Sequence, residues 1–400
     1  MAGFLIIVGL TGSLLAFNNE LEHVFAPQLF AKPKPGVARL DLATLATHAQ
    51  ILLPHAYVLS VTYTEPDQVS VYFEAREDPT TKRPYDIGFS EFFIDPWTGE
   101  ELGRRNRGDL SEGRINLMPF IYELHWTLAG GNIGQWILGV VALLWTLDCF
   151  VAYYLTLPTS IFAFWRRWKT AWSIKRGAGG YRLNLDLHRA SGLWLWPILF
   201  IFAWSSVMMN IRPVYEWVMQ RVFDYHPYRE PSQHETAAPR LDWHAAQATG
   251  ERLIAEQAVT HGFTAGQPLS LAYLSNANVY MYEVRGSRDL FERSPKGGGT
   301  SVMFDGDTGA LLELSQPTGE HSGNTIESWL YALHMARIFG LPYRIFVCAL
   351  GWVVAMLSVT GVYLWLKKRR IEKFHAERMQ QLVKTTRQSN AGPPVISRVR

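Results

Sequence analysis

Two cysteines in 400 residues, Cys149 and Cys348, both inside apolar runs, leave no disulfide framework and no thiolate zinc site. Charge is also scarce. Asp, Glu, Lys and Arg make up 18% of the chain, against roughly 25% in an average soluble domain. The net charge of +3 is too small to argue for a nucleic-acid partner. No Gly-x-Gly-x-x-Gly stretch occurs, so no nicotinamide or flavin fingerprint is present and a donor of that kind would be external.

What is present is apolar and unevenly spread. Hydrophobic residues reach 48%, and Trp, which favours membrane–water interfaces, occurs 15 times. A membrane helix needs about 20 apolar residues. Trp136 to Leu157 has 22 with one charge, Asp148; Gly192 to Ile211 has 20 and Ile345 to Leu366 has 22, both uncharged. A further run, Phe4 to Phe17, has 14. It lacks a basic start and a small-residue cleavage site, so it reads as a span cut short rather than a signal peptide. The expectation is a true N-terminus upstream of Met1.

Basic residues set the orientation of such spans. The loop from Pro158 to Arg189 carries Arg166, Arg167, Lys169, Lys175, Arg176, Arg182 and Arg189 against one acid, Asp186. The tail opens with Lys367-Lys368-Arg369-Arg370. Both read as cytoplasmic, which puts both termini inside and the two segments of about 100 residues outside.

Those outer segments repeat one another. Ser70 to Arg76 matches Val279 to Arg285, and Ile94 to Gly99 matches Phe304 to Gly309. Leu124-His125, with Gly131 six beyond, matches Leu333-His334 with Gly340 six beyond, at an offset of 209. The chain therefore reads as a tandem duplication of helix, outer domain, helix. Tyr57 to Tyr63 and Val69 to Phe73 alternate like strands, Leu40 to Leu52 and Trp243 to Thr260 like helices, and the Asp-Pro-Trp-Thr-Gly and Asp-Gly-Asp-Thr-Gly stretches are turns.

The implied fold is an α-helical membrane protein with four transmembrane helices and two outer α+β domains. Span 1 covers residues 1–17 and outer domain 1 covers 18–117. Span 2, with an outward extension, covers 118–157, and the basic loop covers 158–187. Span 3 covers 188–211 and outer domain 2 covers 212–325. Span 4, again extended outward, covers 326–366, and the tail covers 367–400. The tail is polar and expected to be disordered from Gln381.

Polar groups at membrane depth are where chemistry is expected. His125 and His334 each lie 11 residues before a span. On helices that extend outward continuously, they would stand at equal height. Two neutral imidazoles on neighbouring helices can hold a b-type haem from both faces, and Gly130, Gly131 and Gly134 would leave room for the porphyrin. The bland alternative is an interfacial histidine bonded to a carbonyl or water. His188 opens the third span on the inner side and has the same two readings. Asp148 bears on proton or quinol chemistry, or pairs with a tyrosine such as Tyr153. His321 could line an outer pocket. His23, His48, His55, His226, His234, His244 and His261 show no metal spacing and read as solvated. The Arg293 to Thr300 stretch, with Gly297-Gly298-Gly299, reads as a hairpin tip.

Leu10-Thr11-Gly12 with the acidic stretch to Glu22, Asp186-Leu187-His188-Arg189 followed by Gly192, Trp194 and Trp196, Leu333-His334-Met335, Phe339-Gly340-Leu341-Pro342 and Thr360-Gly361-Val362-Tyr363-Leu364-Trp365 together resemble the PepSY-associated transmembrane family of bacterial inner-membrane proteins. The resemblance extends to about Arg370. It implies PepSY-like periplasmic domains and a place among siderophore-iron reductases, which are di-haem proteins. His125, His188 and His334 then correspond to family histidines. A further family histidine, at the cytoplasmic start of span 1, is expected upstream of Met1, so one or two haems b are implied. Electrons from a quinol or a cytoplasmic reductase would pass by His188 to His125 and His334 and on to a ferric siderophore, releasing iron(II). The rival reading is a membrane-anchored PepSY protein that binds ligands or proteases with no redox role. The implied partners are the ferric siderophore, that electron donor and the lipid bilayer.

Overall fold

The computed structural model describes residues 1–175, 177, 179–227, 239–290 and 298–390. Arg176, His234, the expected hairpin tip over 293–297 and the tail over 391–400 lie outside these.

Helix α1 (Ala2–Leu15) bends by 73° into α2 (Asn18–Phe25). Next come α3 (Leu42–Leu52), β1 (Ala56–Glu65), β2 (Gln68–Ala75), β3 (Glu91–Ile94) and β4 (Glu101–Arg105). The chain returns through α4 (Leu117–Thr127) and enters α5 (Gly131–Thr156), one of two helices among the described residues long and apolar enough to cross a membrane. A short α6 (Phe164–Trp168) leads to α7 (Gly180–Trp194), which bends by 71° into α8 (Trp196–Asn210) and is followed by α9 (Arg212–Val222). The second copy then runs α10 (Trp243–His261), β5 (Ala265–Leu274), β6 (Val279–Gly286), β7 (Thr300–Asp305), β8 (Leu311–Ser315), α11 (Ser322–His334) and α12 (Gly340–Asn390). Helix α12 holds the other long apolar stretch, and the two bent pairs bring the candidates to four if each pair is one span.

The structure departs from three expectations here. The two outer segments do not carry separate sheets. They share one antiparallel sheet in the order β4-β3-β2-β1-β5-β6-β7-β8. At the join, Val61 pairs with Leu271 and Thr62 with Ser270. Those two pairs are exchanged by the 209-residue offset that relates His125 to His334, so the join is what a two-fold axis between the repeats produces. Closing β1 onto β5 removes two open edges, whose unpaired N–H and C=O groups would otherwise face water or other chains. Secondly, the helices carrying the histidines are not continuous with the spans. Leu128 and Ala129 take left-handed angles (φ 55° and 52°) between α4 and α5, and Ala336 and Phe339 do so (52° and 62°) between α11 and α12. A Cβ at Gly134 would lie 1.6 Å from the Thr127 carbonyl oxygen, so this glycine serves the tight break and not a porphyrin. Thirdly, the tail stays helical as far as Asn390, with Lys368–Glu372 and Lys373–Glu377 pairs at helical spacing.

One face of the sheet is covered. Leu42, Leu45 and Ala49 of α3 and Leu253 and Ile254 of α10 close over Val61, Phe92, Leu271, Tyr282 and Phe304. Strand alternation turns the neighbours Ser60, Thr62, Ser270 and Glu283 to the opposite face, toward the helices. The turns follow the sequence reading: the Asp95 side chain accepts from the Trp97 and Thr98 amides, and Asp305 repeats this with Asp307 and Thr308.

Among the helices, α1 meets α12 through small residues. A Cβ at Gly351 would stand 2.2 Å from both the Gly9 carbonyl oxygen and Ser13 Oγ, and Ser13 donates to the Cys348 carbonyl at 2.8 Å. Lipid provides no hydrophobic force between helices, so close backbone approach and such hydrogen bonds are what hold them. Asp186, the acid of the basic loop, is fully buried between Arg182 (3.1 Å) and Arg189 (2.9 Å).

Candidate functional site

His125 lies in the last turn of α4, and His334 is the last residue of α11. Each precedes a break built on two non-glycine residues at positive φ, a conformation that costs energy and is kept where the surroundings enforce it. The breaks turn the two histidine helices inward over the bundle, and the imidazole centroids come within 6.3 Å at an interplanar angle of 67°.

Hydrogen bonding fixes the ring tautomers. His125 Nδ1 lies 3.0 Å from Thr11 Oγ1, whose own proton goes to the Ile7 carbonyl at 2.7 Å. His334 Nδ1 lies 2.7 Å from Ser205 Oγ, which donates to the Phe202 carbonyl at 3.1 Å. A hydroxyl that has spent its proton on a carbonyl can only accept from the ring, so each Nδ1 carries the hydrogen and each Nε2 keeps a lone pair. This is how ligating histidines are oriented in metal sites. A Cβ at Gly12 would lie 3.0 Å from His125 Cε1, so any side chain there would press on the ring.

His188 repeats the arrangement at the other end of the bundle. Its Nδ1 lies 2.9 Å from Thr360 Oγ1, which donates to the Leu357 carbonyl, and a Cβ at Gly361 would lie 3.2 Å from its Cε1. Thr11-Gly12 and Thr360-Gly361 are thus the same device: the hydroxyl orients a ring and the glycine gives it room. Among the described residues no second imidazole contacts the His188 ring.

A cavity of about 1050 Å³ holds both outer histidines and rises from the bundle to the underside of the sheet. Its lower walls are apolar, with Val8, Leu138, Val141 and Phe202. Its upper walls are polar. The amide nitrogen of Gln316 and the side-chain oxygen of Asn210 are buried there without a hydrogen-bond partner, an arrangement a polar ligand would relieve. Glu283 closes the roof and accepts from Ser270 (3.0 Å) and the Gly299 amide (2.8 Å). Burial pushes its carboxyl above the ordinary range despite those bonds.

Ion pairs set the histidine helices on the sheet. Arg105, almost fully buried, reaches Glu91 at 2.6 Å and Glu22 at 3.0 Å, and Arg107 bridges Glu91 at 2.7 Å and Glu123 of α4 at 3.2 Å. In the second copy Arg212 reaches Glu327 of α11 at 2.8 Å, and Glu327 also accepts from Tyr225.

The other sequence candidates fall elsewhere. Asp148 is exposed on α5 and interacts with His188 through its charge; Tyr153 lies instead against Trp168 and Trp196. His321 does not line the cavity, although Asn324 three residues on does. His226, which showed no metal spacing in the sequence, stacks on His321 with centroids 3.8 Å apart, and both meet Asp224.

The residues fit a haem. With metal–nitrogen bonds of about 2 Å and a ring centre roughly 1 Å beyond each nitrogen, two imidazoles on one metal have centroids roughly 6 Å apart. The free Nε2 atoms and the apolar lower cavity suit a flat, apolar macrocycle.

Fold and site together define a membrane-type protein in which apolar helices carry an antiparallel sheet over a histidine-lined chamber. The chain belongs to the PepSY-associated TM region family, whose model matches residues 1–368. No curated protein matches it.

Proposed function

We propose that the protein is a haem-b reductase of a bacterial inner membrane, with four spans and both termini in the cytoplasm, that passes electrons to a periplasmic ferric siderophore. The observation that carries this reading is the His125–His334 pair, 6.3 Å apart with each Nδ1 committed to a hydroxyl. The basic loop between α5 and α7 supports the orientation.

When bound, haem supplies reversible one-electron storage. Around it, Thr11 and Ser205 hold the ligand rings in the metal-binding tautomer, and Gly12 keeps the His125 ring in place. The apolar lower walls exclude water, while Glu283, Gln316 and Asn210 face a hydrophilic chelate above. One electron converts the chelated iron(III) to iron(II), which oxygen donors hold less tightly, and the iron is released. His188, held by Thr360 and Gly361, would help to hold an inner haem, which would take electrons from a cytoplasmic-side donor, a quinol or a reductase.

The test is the spectrum of the purified protein. A Soret band with sharp α and β bands on dithionite reduction, reoxidised by added ferric siderophore under anaerobic conditions, is the expected result. A colourless protein overturns it in favour of a ligand- or protease-binding anchor.

A further inference from the structure

Asp224 and His226 follow α9, and His321 caps the start of α11. Asp224 bonds His226 Nε2 at 3.0 Å through one oxygen and His321 Nδ1 at 2.8 Å through the other. The two rings stack at 3.8 Å, and one ligand atom from each of the three residues lies within 4.8 Å of the others. Ligands around a tetrahedral ion with bonds of about 2 Å stand about 3.3 Å apart, so side-chain rotation alone brings these three onto one ion.

The backbone beneath is fixed. The His226 amide donates to Asn324 Oδ1 at 2.9 Å, Asn324 Nδ2 returns a bond to the His226 carbonyl at 2.7 Å, and the Gly323 amide donates to the Asp224 carbonyl at 2.8 Å. A Cβ at Gly323 would lie 2.5 Å from Tyr225 Cβ, so the two segments are in close contact. Side chains on such a base lose little freedom on binding. All three are reachable, with side-chain exposures of 58% for Asp224, 63% for His226 and 36% for His321.

We propose that Asp224, His226 and His321 bind one divalent first-row transition ion. Two imidazoles and one carboxylate with open positions are the donor set that suits ferrous iron. The ring proton each histidine now gives Asp224 moves to its other nitrogen, and the freed lone pair takes the metal. The location gives the ion a source. Helix α11 begins at this cluster and ends at His334, and Asn324 and Glu327 between them line the chamber. At about 1.5 Å per residue the two ends are roughly 20 Å apart. On the reductase reading, on which this last step rests, the site receives the iron(II) released in the chamber.

The experiment is anaerobic calorimetry on the whole purified protein, with Zn2+ as the first probe and Fe2+ titrated separately into zinc-free protein. Expected is one Zn2+ per chain. His226→Ala and His321→Ala each weaken it tenfold or more and together abolish it, with melting temperature and haem spectrum unchanged. Zn2+ binding that is the same in the double variant overturns the site. Fe2+ that shows no binding in its own titration, or binding that is unchanged in the double variant, overturns its role as ferrous acceptor. A colourless protein that loses Zn2+ in the double variant upholds the site while the reductase reading fails. A haem-containing protein with unaltered Zn2+ binding does the reverse.

Discussion

His125 and His188 are held alike but have different neighbours. Each gives its Nδ1 to a threonine hydroxyl already bonded to its own helix, and each lies against the glycine that follows that threonine. At the outer end a second imidazole, His334, stands 6.3 Å from the first; at the inner end none does among the described residues. The Thr-Gly device therefore orients one ring and does not by itself make a two-ligand site. The second ring comes from the duplication, which brings α11 back over the bundle as α4 came. There Ser205 replaces the threonine and Phe202 lies 4.9 Å from the ring.

The largest test of that comparison is deletion of a ring. His125→Ala or His334→Ala is expected to abolish the outer low-spin haem, while His188→Ala leaves it intact. Haem per protein and the reduced spectrum of each variant measure this, and loss of the outer signal from His188→Ala would erase the distinction between the two ends. Next come the glycines. Gly12→Leu is expected to displace the outer ring and Gly361→Leu the inner one, because even a Cβ there would lie 3.0 Å and 3.2 Å from the imidazoles. The two variants should therefore alter different spectral components, and identical changes would count against two separate sites.

Arg105→Ala leaves Glu22 buried without its cation and Glu91 with Arg107 alone, and breaking such a network costs about 3–5 kcal/mol. Chemical unfolding followed by tryptophan fluorescence is the measurement, and a cost below about 1 kcal/mol would mean that the Arg105 pairs do not tie α2 to the sheet. Thr11→Val and Ser205→Ala remove the hydroxyls that orient the rings. Outer partners of this kind are worth roughly 10- to 100-fold in metal affinity, so haem retention during dilution should fall by that order. Thr360→Val should spare the outer haem.

The smallest effect is on pH dependence. Burial alone would raise the Glu91 carboxyl, but Arg105 and Arg107 outweigh it and hold it below the usual 4.5. A carboxyl depressed in the folded state adds stability above its unfolded value. That stability is lost as pH falls through the folded value. Glu91→Gln should therefore flatten the acid side of the stability curve, as measured by unfolding in a pH series, and an unchanged slope would show that Glu91 does not contribute.

Much of the organisation was legible. The offset of 209 matched β6 and His334 to β2 and His125, because a duplication leaves its mark in sequence whatever the fold. The turns were legible as well, since Asp and Gly act on their own neighbours. The partners of the histidines were not. Thr11-Gly12 and Thr360-Gly361 stood out as family motifs, yet nothing local says that Thr11 meets a ring 114 residues away or Thr360 one 172 residues away. His226 looked solvated because its companion, His321, is far along the chain. The helix breaks at Leu128 and Ala336 carry no local signal, since neither residue favours a left-handed angle.

The apolar helices, the duplication, the basic loop and the matched positions of His125 and His334 follow from the order of residues alone, for they rest on composition, local periodicity and internal repetition. Long-range packing sets the rest: that the two sheet-bearing halves share one sheet, that the chamber lies beneath it, and which hydroxyl each imidazole meets. Those outcomes depend on closing loops of a hundred residues or more. Such closure is repaid only when strand edges, helix backbones and buried polar groups all find partners at once.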